Sequence, residues 1–506
     1  MPTLDNDAVK SRYAQEREKR LRADGNAQYV RLAGDLATDP YEPLVERPPC
    51  RDHVTVAIVG GGFAGLLTAS RLSELGLDDF RVVEKGGGFG GTWYWNRYPG
   101  VQCDTASMVY MPLLEETGYM PSEKYAHGPE ILDHCERIAH HFDLSDKALF
   151  HTVVTDLEWD DEAARWIVRT DRGDEFTAQF VAMGTGPLHV AKLPGIPGIQ
   201  SFEGHAFHTS RWDYDYTGGD ARGAPLDNLG DKRVGVIGTG ATSVQVVPSL
   251  APWVEELYVF QRTPSSVDVR DNHPIDPEWF ESIATPGWQQ RWLENFTANQ
   301  AMGTAEEDLV QDGWTDVSRR IRDLIASLPP EKMTREGFAN AFQEADIEKM
   351  SEIRARIDDV VDDPETADAL KAWYWQFCKR PCFHDEYLDA FNSPNTHLVD
   401  TNGQGVESVT PAGVVAGGRE YELDCLIFAS GFEVGTAYTD RAGFEVTGRD
   451  GRRLSEEWRD GMRTMQGTYV HGFPNAFLVQ PFQGGNLISN IPHNLVEAAR
   501  TIAMIV

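Results

Sequence analysis

The sequence predicts an α/β fold built from two Rossmann-like dinucleotide-binding domains, the first discontinuous and the second carrying a helical insertion. Three observations carry this. A strand, glycine turn and helix occur in that order twice, around Gly60 and around Gly238. The second strand of the first unit ends in an acid, Glu84, whereas that of the second ends in a base, Arg262. Between about 277 and 375 the chain is rich in helix formers and poor in β-branched runs, as in Val317-Ser318-Arg319-Arg320-Ile321.

Taken in order, residues 1–50 form an N-terminal extension. Lys10, Arg12, Glu16, Arg17, Glu18, Lys19 and Arg20 are dense enough to predict a solvated helix between Asp7 and about Tyr41. The apolar run Val54–Val59 then leads into Gly60-Gly61-Gly62-Phe63-Ala64-Gly65 and the helix-like Leu66–Leu72. Gly60, Gly62 and Gly65 let backbone approach a pyrophosphate at a positive helix N-terminus. A second run, Phe80–Val83, closes on Glu84. A carboxylate there accepts hydrogen bonds from a ribose diol and repels a 2′-phosphate, which fits the adenosine end of FAD.

The second unit inverts that choice. Arg233–Ile237 enters Gly238-Thr239-Gly240-Ala241-Thr242-Ser243, with Ser243 where a third glycine is usual, and Leu257–Gln261 ends at Arg262 and Thr263. A guanidinium beside a hydroxyl suits the 2′-phosphate of NADPH. Phe180–Gly186 and Cys425–Gly431 read as strand ends where the chain leaves and re-enters the first domain. The expected division is therefore 51–188 with 385–506 for FAD, and 189–384 for NADP, with the insertion at about 277–375.

Composition narrows the partners. The 506 residues suffice for roughly two to four domains. With 79 acidic against 46 basic residues the formal charge is −33, which repels phosphate backbones and argues against nucleic acid. No apolar run approaches a membrane span, and Met1–Asp7 lacks the features of a signal peptide, so a cytoplasmic monomer or weak homo-oligomer is expected. Of six cysteines only Cys378 and Cys382 lie close together, spaced CxxxC without a partner pair, so neither a metal site nor a redox dithiol is expected.

Two further stretches sharpen the reading: Gly90-Gly91-Thr92-Trp93-Tyr94-Trp95-Asn96-Arg97-Tyr98-Pro99-Gly100-Val101-Gln102-Cys103-Asp104, and Phe202-Glu203-Gly204-His205-Ala206-Phe207-His208-Thr209-Ser210-Arg211-Trp212-Asp213. Both resemble motifs of the type I Baeyer–Villiger monooxygenases. The second lies between the two glycine turns, as the fingerprint of that family does. The charged stretch Tyr13–Arg22 together with Gly467–Asn475 looks like members of that family acting on large cyclic, polycyclic or steroid ketones. The resemblance implies that Thr92, Trp93, Asp104 and Tyr110 lie against the flavin, Gln102 near the nicotinamide and Val154 at the adenine end. It makes Lys379 a 2′-phosphate contact, Arg380 the catalytic arginine, Asp104 its partner, and His208 a hinge-like element.

The resemblance further implies FAD and NADPH as cofactors, with a ketone and O2 as substrates. NADPH reduces the flavin, O2 is captured as a C4a-peroxyflavin, and its attack on the ketone gives a tetrahedral adduct that rearranges to an ester or lactone. A fixed cation such as Arg380 stabilises the charge that develops. Flavin-containing and N-hydroxylating monooxygenases share both turns, and a non-catalytic flavin-binding redox protein is a further alternative. The chain stops at Ile502–Val506, where family members continue for many tens of residues, so a truncated chain or an open substrate pocket is expected.

Overall fold

A computed structural model describes residues 6–31, 38–301, 305–479 and 490–506. The reading of Met1–Asp5 lies outside the described residues.

The strand His53–Val59 sits inside the first sheet because its apolar residues are covered on both faces. Phe80–Val83 and Glu175–Met183 flank it in parallel, Ala148–Leu149 continues beyond the former, and Ala476–Leu478 pairs beside the latter. An antiparallel pair, Val154–Asp160 and Arg165–Thr170, extends this sheet from Glu175–Met183, and Glu445–Thr447 closes its edge. The helix Phe63–Glu74 packs on the sheet and buries Leu66, Leu67 and Leu72 against Leu495, Ala499 and Ile502 of the last helix, Ile491–Ile505.

The second sheet has five strands, all parallel, in the order Thr396–Asp400, Glu256–Gln261, Arg233–Ile237, Cys425–Phe428 and His205–His208. Its crossover after the glycine turn is the helix Ala241–Leu250. Among the described residues, five α-helices, from Pro277–Ile283 to Pro364–Leu370, fill most of the stretch between the strands Val267–Asp268 and Cys382–Phe383.

Two expectations are corrected here. Thr396–Asp400 and Cys425–Phe428 belong to the second sheet, so the chain does not rejoin the first at 385; its strands return at Glu445–Thr447 and Ala476–Leu478. All four residues of Cys425–Phe428 are buried, and an apolar run covered on both faces has no alternation to say which sheet it joins. The extension helix runs only from Asn6 to Arg20 and is not simply solvated. Val9 and Tyr13 pack against Ile347, Trp373 and Trp375. Glu16 is buried beneath Arg12, Lys19 and Arg20, whose cations pull its carboxyl below the usual range against the opposing effect of burial.

Candidate active site

Both glycine turns open on one cavity of about 1240 Å³, larger than the roughly 300–1,000 Å³ of a single-ligand pocket. Gly60 and Gly238 occupy equivalent corners with φ of +102° and +118°. A Cβ on either would stand 2.5 Å from a backbone carbonyl, Gly184 O in one turn and Ala429 O in the other, which excludes larger residues. The helices that follow have Gly62 and Gly240 as N-caps, which offer no side-chain cap, so their first N–H groups are left to an incoming anion.

Glu84 is buried at the rim of the first turn. Its Oε2 accepts from Gly61 N–H at 2.6 Å and its Oε1 from Gly86 N–H at 2.7 Å. Burial raises its pKa and those two N–H groups oppose the rise. Each oxygen retains a lone pair for a ribose hydroxyl. Lys85, which sequence reasoning passed over, enters the same cavity and donates to His189 O at 2.7 Å. Burial pushes its ammonium down to about 8, opposed by the neighbouring Glu84.

Thr92, Trp93, Gln102, Asp104, Tyr110 and Val154 also line the cavity. Trp93 Nε1 donates to the Tyr110 hydroxyl at 3.1 Å. Gln102 is held on all sides: its Nε2 donates to Tyr125 O at 2.7 Å, and its Oε1 accepts from Arg270. Its backbone forms a reciprocal clasp with Gln245 on the helix of the second unit, accepting from Nε2 at 2.8 Å and donating to Oε1 at 3.2 Å.

Asp104 has two arginine partners rather than the one expected. Arg270 Nη2 lies 2.5 Å from Oδ1, with both side chains almost wholly buried. Arg380 Nη2 lies 3.3 Å from Oδ2, and 55% of its side chain remains accessible along the cavity it lines. Burial tends to lower the Arg380 pKa, and Asp104 more than offsets this, so the guanidinium stays charged. A lone arginine in the loop after Val267–Asp268 gives no local pattern, which is why Arg270 was missed. Trp314 Nε1 donates to Asp104 O at 2.7 Å and closes the other side.

At the far end Thr239, Gly240, Ala241, Thr242, Arg262, Thr263 and Lys379 line the cavity. Lys379 Nζ donates to Thr263 O and Pro264 O, both at 3.3 Å. Burial lowers its pKa to about 8, and Arg262 and Arg20 push the same way. Two predicted residues are not among those lining the cavity. Gly65 acts on packing, since a Cβ there would meet Gly60 O at 1.9 Å, and Ser243 is buried within its helix.

The fingerprint segment is also packed core. His205–His208 is the edge strand of the second sheet, Trp212 is buried and donates to Thr217 Oγ1 at 3.1 Å, and Asp213 caps Tyr214–Thr217. His208 is fully buried, and desolvation drives its pKa down to about 3, so it is neutral. It is not among the residues lining the cavity.

The residues fit two dinucleotides: two uncapped helix starts, an acid at one adenosine end, and a cation cluster at the other. Among the described residues no group of side chains can hold a metal ion, and no helix is long and apolar enough to cross a membrane.

Comparisons with known proteins agree with this arrangement. The family model described as pyridine nucleotide-disulphide oxidoreductase matches residues 57–220. The chain is 53% identical to neopentalenolactone D synthase of Streptomyces avermitilis, over 99% of this chain and 85% of that protein. It is 49% identical to a Baeyer-Villiger monooxygenase of Streptomyces coelicolor, over 97% and 82%. The solved polycyclic ketone monooxygenase of Thermothelomyces thermophila superposes with a TM-score of 0.90 at 39% identity, covering 99% of this chain and 84% of that one. A steroid monooxygenase bound to NADP superposes at 0.72 with 32% identity, over 89% and 85%. With two dinucleotide turns and a buried acid–arginine pair facing one cavity, and relatives at this identity across nearly its whole length, the chain belongs to the FAD- and NADP-dependent Baeyer–Villiger monooxygenases.

Proposed function

We propose that this enzyme inserts one oxygen atom beside the carbonyl of a bulky cyclic ketone, giving a lactone. The observation that carries the proposal is the convergence of Arg380, Asp104 and both glycine turns on one cavity. The activities for which its relatives are named support the substrate class, since they include pentalenolactone D synthases and a polycyclic ketone monooxygenase. Its cysteines are free thiols, which fits a reducing cytoplasm.

FAD, once reduced by NADPH, activates O2 and so supplies the oxygen that is inserted. The protein's own part is binding, orientation and charge. Glu84 receives the ribose hydroxyls of FAD, and the first turn of Phe63–Glu74 receives its pyrophosphate. Thr92, Trp93 and Tyr110 form the wall beside the ring system, and Val154 borders the adenosine. The first turn of Ala241–Leu250 receives the NADP pyrophosphate, and Arg262, Thr263 and Lys379 its 2′-phosphate, with Gln102 facing the nicotinamide end. Arg380 projects into the space between these sites, where it stabilises the negative charge that collects on the substrate's carbonyl oxygen. Asp104 holds that guanidinium through one oxygen while Arg270 fixes the other, so the cation is placed before charge develops.

The test is product analysis under 18O2 with a panel of mono- and polycyclic ketones, for the parent and Arg380→Ala. One labelled oxygen in the lactone ring is expected from the parent. The variant should remain yellow and fall by roughly 10²–10³ in oxygenation rate. Unlabelled product, or a variant as fast as the parent, would overturn the assignment.

A further inference from the structure

The N-terminal extension reaches the cavity at its cationic end. Arg22, Gln28 and Tyr29 line it beside Arg262 and Lys379. Gln28 Oε1 accepts from Arg262 Nη1 at 2.5 Å, and the Tyr29 hydroxyl lies 3.3 Å from Arg262 Nη2. The direction of the Gln28 amide is fixed from its other end, since Nε2 donates to Gly25 O at 2.6 Å.

These contacts are built rather than incidental. Tyr29–Arg31 pairs antiparallel with Lys192–Pro194, and Gln28 O accepts from Gly195 N–H at 2.7 Å. The Lys192 ammonium sits 3.9 Å from the centre of the Tyr29 ring. Upstream, the helix Asn6–Arg20 places Tyr13 edge-on to Trp375 at 5.0 Å, three residues before Cys378 and four before Lys379. Lys19 Nζ donates to Asn402 Oδ1 at 3.2 Å, next to the cavity-lining Thr401. The extension therefore touches the neighbourhoods of both cations at this end.

The choice of partners has a chemical consequence. Gln28 and Tyr29 are neutral, so they fix the orientation of the Arg262 fork without cancelling its charge. Among the described residues two of its five N–H donors are used, which leaves three. The nearby carboxylate, Asp24, is already engaged in both its oxygens by Arg22, at 2.8 and 2.6 Å. We propose that residues 22–31 are a specificity element for the cofactor's 2′-phosphate, in which Gln28 and Tyr29 are positioning residues that hold the Arg262 guanidinium uncompensated toward that phosphate. The proposal rests on the assignment of the second glycine turn to NADP.

Flavin-loaded enzyme is titrated calorimetrically with adenosine 2′,5′-bisphosphate and with ADP, which lacks the 2′-phosphate, for the parent, Gln28→Glu, Tyr29→Phe and Arg262→Ala. Gln28→Glu keeps the side chain's shape but sets an anion against the guanidinium. It should weaken the bisphosphate by roughly tenfold to a hundredfold, the scale of a charged hydrogen-bonded contact, and leave ADP almost unmoved. Tyr29→Phe, which cannot unfold the strand pairing, should weaken the bisphosphate by a few-fold. If Arg262→Ala loses the preference for the bisphosphate while Gln28→Glu and Tyr29→Phe keep it at the parental value, the role of the extension is overturned and the NADP site stands. If Arg262→Ala also keeps that preference, the NADP assignment itself falls and this inference with it.

Discussion

Arg270 decides how the acid at the centre of the cavity behaves. A carboxylate that is 3% accessible is costly without a cation, and Arg380, with a single 3.3 Å contact and an accessible side chain, cannot carry that alone. Arg270→Ala should therefore destabilise the folded protein by about 3–5 kcal/mol, the usual cost of stripping one partner from a buried pair. Arg270→Lys should recover part of this, since it returns the charge without the planar fork shared with Gln102. Urea unfolding followed by flavin fluorescence checks the order, and an Ala variant as stable as the parent would leave Asp104 held by Arg380 alone. Glu84 and Arg262 stood out as single residues because each closes a strand after a glycine turn, whereas Lys379 and Arg380 were singled out only through the family resemblance. Arg270 and Gln245 act through contacts made across more than a hundred residues of chain, and Lys85 looked like any surface lysine following a strand.

Elements differ in how much of themselves they write into local sequence. The two strand–turn–helix units were legible because glycine spacing and apolar runs are local requirements of the backbone. Gly65 shows how strict they are, since the extra carbon of Gly65→Ala would lie 1.9 Å from Gly60 O. Backbone meets backbone there, so neither side can yield by a rotamer change. The helix must lift from the turn, and the expected outcome is loss of flavin on gel filtration with the NADP-end affinities retained; a variant that keeps full flavin content would show that the turn can widen freely. Sheet membership was less legible. Cys425–Phe428 and Ala182–Gly184 both run apolar into a glycine-bearing turn, and only pairing with Arg233–Ile237 and His205–His208 separates the former from the first sheet. The extension helix misled for a different reason: its buried stripe of Val9, Tyr13 and Glu16 includes an acid and is surrounded by charge, so its apolar face is narrow.

For the molecule as a whole, the cationic end of the cavity lies inside a protein whose formal charge is −33. A dinucleotide phosphate thus meets two fields in succession, a repulsive one outside and an attractive one at contact. Their ranges differ. The outer field extends over about 30 Å at 0.01 M salt and shrinks to about 8 Å at 0.15 M, whereas the contacts proposed for Arg262 and Lys379 would act within a few ångströms, partly shielded from solvent. Added salt should therefore quicken the arrival of NADPH, the reverse of the usual behaviour of a cation-lined site, while also hastening its departure. Stopped-flow association and dissociation rates across that range separate the two, and an association rate that falls with salt would mean that the mouth itself is electropositive. In that sense the enzyme's acidity works as a threshold at the door: it slows every polyanion alike, and leaves discrimination to the residues that meet the cofactor once it is inside.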